Sequence, residues 1–257
     1  MFYNVSMQTN SQTNNRKYIP ILPENYRILS GSGLKMIAVI TMIIDHIASV
    51  FLRSTQTMIF TFIGNGVNLY TAMRFIGRIS FPLYCFLLVE GFIFTSDRKK
   101  YGLRLLVFAL ISEVAWDLEH FNGFSMSSQN VYFTLLLGYL GLNLLENINK
   151  TSLTLTKGLM MLALIALSVI GKSDYGISGF GFIIMLYVLR TQPLVQAIIG
   201  SCFLSSRWQA GFAFIPINLY NGERGFINTR LKSIIFYLIY PVHMLILYYI
   251  KLKTIGY

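Results

Sequence analysis

Apolar residues run along this chain in long, continuous blocks, separated by short polar loops that carry most of the charge. None of the blocks alternates inside and outside, as the strands of a membrane β-barrel do. A helix needs about 20 apolar residues to cross a bilayer. On that measure nine spans are predicted, with approximate limits 34–52, 75–95, 102–119, 131–148, 157–171, 175–190, 193–205, 207–220 and 232–250. The segments 193–205 and 207–220 are short for a crossing and could instead form a re-entrant pair. Residues 56–73 are uncharged but broken by Gly64-Asn65-Gly66, so they read as a loop with an interfacial piece. Residues 1–33 form a polar tail, disordered or interfacial, and 34–257 form a single transmembrane domain without an internal repeat. The predicted fold is all-α: a polytopic helical membrane protein with about nine transmembrane helices, seven to ten allowing for the ambiguous segments.

Composition agrees with the pattern. Hydrophobic residues make up 54% of the 257 and charged residues 12%, half the charge of an ordinary soluble domain. The net charge of +11 comes from loops rather than from a basic block interleaved with aromatics, so nucleic acid is not an expected partner and membrane lipid is. Cys85 and Cys202 both lie in apolar runs; neither a disulfide framework nor a metal site is expected. With the N-terminus inside, the inner segments hold fourteen of the 21 Lys and Arg and the outer segments seven. The excess predicts a cytoplasmic N-terminus in a multi-pass cell-membrane protein.

Within this apolar frame, a few ionisable residues fall at membrane depth. An Asp at the centre of a membrane helix costs about 2.5–3.5 kcal/mol on insertion scales, so such residues mark functional candidates. Asp45 and His46 interrupt "MIAVITMIIDHIASVFL". Lys35 precedes His46 by eleven residues, which is about 20° past three full turns and about 16 Å of rise. Both therefore share one face, with Met42 on the same stripe. Such an arrangement suits a cation gripping an anionic donor while a base works on its reactive end; the plainer reading is a snorkelling lysine and a core histidine. Asp45 sits about 100° round the helix from His46, so it is expected to pair with a cation on another helix.

Other candidates are less specific. Arg78 and Glu90 lie in the second span, where Pro82 is expected to kink the helix. Glu113 and Asp117, at i and i+4, either pair with Arg78 or Arg74 or orient an incoming amine or hydroxyl. Tyr240 and His243 share a face of the last span, around Pro241. The inner loop "YNGERG", followed by Arg230 and Lys232, suits phosphate and equally well a tight turn. His120 receives no role.

Seven stretches, in order, resemble the TraX family, membrane proteins that include the conjugal pilin N-acetylase: "LKMIAVITMIIDHI", "FIGRISFPLYCFLLVEGF", "RLLVFALISEVAWDL", "QNVYFTLLLG", "SDYGISGF", "LYNGERG" and "FYLIYPVHMLIL". The third departs from the family pattern at Ala115 and Trp116. Through this family the chain is similar to transmembrane acyltransferases that use acyl-CoA, many of which carry a basic residue, ten intervening residues and a histidine in an early helix. Lys35 and His46 have that spacing. The resemblance implies an acetyl-CoA-dependent N- or O-acetyltransferase, with His46, Asp45 and Glu90 as catalytic residues and Lys35, Arg224 and Arg230 on the donor's phosphates. Arg78, Glu113, Asp117, Tyr240 and His243 are then pocket residues. The acceptor would be a pilin-like peptide or an envelope glycan or lipid. The rival classes are a proton-coupled transporter and a non-catalytic assembly factor for pili or surface polymers.

Overall fold

The computed structural model describes residues 18, 20–53, 58–62, 65–150 and 153–254. Helix α1 (Gly31–Ile47) begins where the Ser30 hydroxyl accepts from Gly33 N, an N-cap that satisfies one of the helix's free amides. Just past His46 it widens into a π-helical stretch, Ala48–Leu52. Such a local widening is frequent at functional sites because it re-aims the side chains around it. A short antiparallel ribbon follows, β1 (Met58–Phe62) paired with β2 (Asn65–Asn68), where a loop with an interfacial piece was expected.

The predicted second span is two helices. Helix α2 (Leu69–Gly77) starts in a capping box between Asn68 and Thr71, and α3 runs from Ser80 to Phe94. Pro82 therefore opens a helix instead of kinking one: it lies in the first turn of α3, where a missing N–H leaves no carbonyl unpaired. Helix α4 (Arg98–Phe121) is capped by Asp97, whose carboxylate accepts from Lys100 N, and ends at Asn122 in the left-handed region. Then come α5 (Val131–Lys150), α6 (Leu155–Ile170), α7 (Gly176–Val188) and α8 (Pro193–Phe203). The segment 207–220, expected as a short span or as half of a re-entrant pair with 193–205, is a 3₁₀ stretch (Ser205–Ala213) leading to a single short turn, α9 (Phe214–Asn218). The chain closes with α10 (Arg230–Thr254).

Among the described residues, four helical segments are long and apolar enough to cross a membrane: Gly31–Leu52, Leu69–Phe94, Val131–Ile148 and Arg230–Thr254. Helices α6, α7 and α8 are apolar but shorter. Helix α4 has the length, but its ends carry charge. Helices α1 and α3 pack together, α5 lies against α4 and α7, and α10 lies along α4 and touches α1. The core between them is built from Leu34, Phe86, Phe92, Leu142, Phe182 and Met244, all buried.

Pro241 explains how α10 joins this core. Without an N–H, it leaves the Tyr237 carbonyl without its usual helical partner, and the Tyr132 hydroxyl of α5 donates to that carbonyl at 3.1 Å. The cross-link seats the following turn, Tyr240 to His243, against the bundle interior, where both are buried.

Candidate functional site

The candidate residues separate into two groups at opposite ends of α1. At its start, the loop after α9 is bound to the helix by backbone bonds, Gly31 N to Glu223 O at 2.7 Å and Ser32 N to Arg224 O at 3.0 Å. The buried Ser32 hydroxyl donates to Arg224 O at 2.8 Å and accepts from Ile227 N at 2.7 Å. Gly225 makes this possible. It has φ +77°, and a Cβ there would fall under 3 Å from the Ser30 and Ser32 hydroxyls. "YNGERG" is thus a clasp on the helix N-terminus. It brings Arg224 close enough to Lys35 for the two cations to repel. Arg224 and Arg230 are exposed, and Lys35 is half-buried. Glu90 belongs to this end, where its carboxylate accepts from the Tyr220 phenol. Burial, and then the Glu90 charge, pushes that phenol well above its ordinary value. Glu90 and His46 are not brought together.

At the other end of α1 lies a cavity of about 150 Å³, lined by polar and aromatic side chains including His46, Arg78, Trp116, His120, Tyr132 and Tyr240. His46 and His243 stack with ring centroids 4.8 Å apart. His243 Nδ1 lies 2.8 Å from the Ile239 carbonyl, and His46 Nδ1 lies 2.5 Å from His243 Nε2. A carbonyl only accepts, so the network assigns the hydrogens. His243 donates from Nδ1 to Ile239 O and accepts at Nε2, and His46 donates from Nδ1. That leaves His46 Nε2 with its lone pair, on the ring that lines the cavity.

Asp45 is paired as expected. Arg74 Nη1 donates to Asp45 Oδ2 at 2.5 Å, with both side chains largely covered. Gly77 permits the close approach: a Cβ there would fall well under 3 Å from Asp45 Oδ1 and Cβ. Helix α2 therefore lies against α1 at the level of the catalytic candidates.

Glu113 and Asp117 organise a loop and do not line the cavity. Glu113 Oε2 accepts from Asn130 N at 3.0 Å and Nδ2 at 2.5 Å, and Asp117 Oδ2 accepts from Ser125 N at 3.2 Å. Neither is salt-bridged to Arg74 or Arg78 among the described residues. Asn130 then caps α5 through Tyr132 N, which fixes Tyr132 on the cavity wall.

The pattern along the chain missed His120. It stacks on Trp116 with centroids 3.7 Å apart, and its Nδ1 lies beside the Glu119 carboxylate and 3.2 Å from the Trp116 carbonyl. With acceptors on both sides, Nδ1 carries a hydrogen and the second nitrogen is left to the cavity. The signal available in the sequence was the dipeptide Glu119-His120 at a helix end. All three histidines of the chain thus converge, His46 and His120 on the cavity wall and His243 behind His46. Among the described residues no group of three or more His, Cys, Asp or Glu is placed to hold a metal ion.

No solved structure matches this chain. A "Probable fimbrial assembly protein FimC, serogroup H1" from Dichelobacter nodosus is 30% identical over 252 residues, covering 85% of this chain and 94% of that protein. The family described as TraX protein covers residues 30–251, from the cap of α1 to the last turn of α10, and the chain belongs to the TraX family.

Proposed function

We propose that this protein is a multi-pass acyltransferase of the cell membrane, moving an acetyl group from acetyl-CoA to an amine or hydroxyl. The observation that carries the reading is the hydrogen-bonded chain from the Ile239 carbonyl through His243 to His46, which leaves His46 Nε2 as a base on the cavity. Nε2 takes the acceptor's proton as its nitrogen or oxygen attacks the thioester carbonyl. The carbon–sulfur bond then breaks, and the His46 imidazolium returns that proton from Nε2 to the departing sulfur, which resets the base.

Lys35, Arg224 and Arg230 supply charge for the donor's phosphates, and Lys35 stands about 16 Å of helix rise from His46. Val39 and Met42 fill the stripe between, so the donor's arm displaces them on entry. Met42, unbranched and on the cavity wall, is well suited to give way. The fourteen-to-seven distribution of Lys and Arg favours the clasp inside, where CoA is found, and the cavity toward the outer side. The name of the Dichelobacter relative supports an acceptor in a fimbria-like surface structure, a pilin-like peptide or an envelope glycan.

The test is transfer of labelled acetyl from acetyl-CoA by membranes holding matched amounts of each variant. His46→Ala and His46→Gln should both be inactive. Full activity in both overturns the reading. The relative's name also favours an assembly factor without catalysis. On that alternative, His46→Gln restores surface fibres to a deletion strain as well as the native gene does.

A further inference from the structure

Two arginines line the cavity, and they are not equivalent. Arg74 is neutralised by Asp45. Arg78, one helical turn further on, is half-buried and makes no hydrogen bond or ion pair with any of the described residues. A guanidinium cannot shed its charge. Half-covered and without a counter-charge, it is partly desolvated at a cost, a weaker form of the penalty for removing one partner of a buried pair. Of the carboxylates around it, Asp45 is taken by Arg74, Glu113 and Asp117 are turned into the loop before α5, and Asp174, which shares the cavity wall, forms no ion pair with Arg78.

We propose that Arg78 is an anion receptor: the molecule that occupies the cavity carries a carboxylate or phosphate, which pairs with this guanidinium while its neighbouring amine or hydroxyl meets His46. The planar fork of Arg78 matches both groups in a two-point contact. Around it the side chains of Trp116, Phe81 and Tyr175 line the cavity and give apolar surface to the remainder of the ligand. The space holds on the order of ten water molecules, which fits one sugar ring or one amino-acid residue with its anionic substituent. The part of this proposal that concerns the acceptor rests on the acyltransferase reading; the anion site does not.

The test therefore uses binding without any donor. Trp116 is one of two tryptophans and lines the cavity, so a Trp208→Phe background makes fluorescence a reporter of cavity occupancy. The protein in neutral detergent is titrated with phosphate, with acetate and with neutral acetamide at constant ionic strength. A second arm compares nanodiscs of phosphatidylglycerol with nanodiscs of phosphatidylcholine. A saturable change with the anions but not with acetamide, weakened at least tenfold in Arg78→Gln, partly kept in Arg78→Lys and unchanged in Lys99→Gln, supports the receptor. A change seen only in phosphatidylglycerol discs, and lost in Arg78→Gln, also supports it and makes the source of the anion a lipid headgroup. No anion-dependent change in the parent protein, or the same change in Arg78→Gln, overturns it. A parent protein that binds the anion through Arg78 but transfers no acetyl would count against the catalytic reading alone.

Discussion

Neutralising Asp45 tests why a carboxylate is tolerated in an apolar helix. In Asp45→Asn the Arg74 guanidinium loses its partner at 2.5 Å, and in Arg74→Gln the carboxylate loses its own. At that distance, with an effective dielectric constant near 20, the gross attraction is about 6–7 kcal/mol, most of it offset by desolvation. Exposed pairs contribute about 0.2–1 kcal/mol, and breaking a fully buried pair costs about 3–5 kcal/mol. The two side chains here are 15% and 21% exposed, which places each single substitution between these limits, at about 2–3 kcal/mol. For a chain of this size that is a fall in melting temperature of about 4–12 °C. The double variant Asp45→Asn, Arg74→Gln leaves no uncompensated charge, so it should be destabilised by less than the sum of the singles, by at least about 1 kcal/mol. The measurement is thermal unfolding of the four proteins in one neutral detergent at fixed protein and lipid content. Strict additivity, or singles that melt with the parent, would show that α1 and α2 are not joined through this pair, and the cavity wall built on it would be wrong.

Gly77→Ala should act on the same contact from the other side, since its Cβ overlaps Asp45; overpacking of about 1–3 kcal/mol should appear as a lower melting temperature, and an unchanged one would refute the close approach. Gly225→Ala should strain a backbone at φ +77° and push on Ser30 and Ser32, loosening the clasp. Acetyl-CoA binding, measured by calorimetry, is then expected to weaken severalfold, whereas native affinity would separate the clasp from the donor. His243→Leu removes the acceptor that fixes the His46 ring; one lost hydrogen bond of about 1–1.5 kcal/mol predicts a roughly tenfold slower acetyl transfer with little change in acetyl-CoA affinity, and an unaltered rate would remove His243 from the site. Reporter fusions after residues 100 and 228 should both read cytoplasmic and one at 123 external, as the charge distribution requires; opposite readings at 100 and 228 would show a miscounted span between them.

The linear pattern determined the class of this protein and the identity of its outstanding residues. Continuous apolar runs can only be helices in lipid, because every backbone group must be satisfied within its own segment, and α1, α5 and α10 stand within a few residues of their predicted limits. Intramembrane charge is costly, so Asp45, His46 and His243 were legible as exceptions, as was the need for a cation beside Asp45. Partners were not legible. Nothing along the chain said that His46 meets a ring 197 residues away, or that Glu90 and His46 face opposite ends of the bundle. Nor did it say that Glu113 and Asp117 close a loop while Arg78 is left unpaired among the described residues. His120 was invisible for a related reason: it ends a helix, where a histidine is ordinary, and gains its place only when α4 packs beside α10. Hydropathy is a property of single segments and can be read one residue at a time. A hydrogen-bond relay or an uncompensated charge is a property of contacts between segments, and those are fixed by how the helices pack.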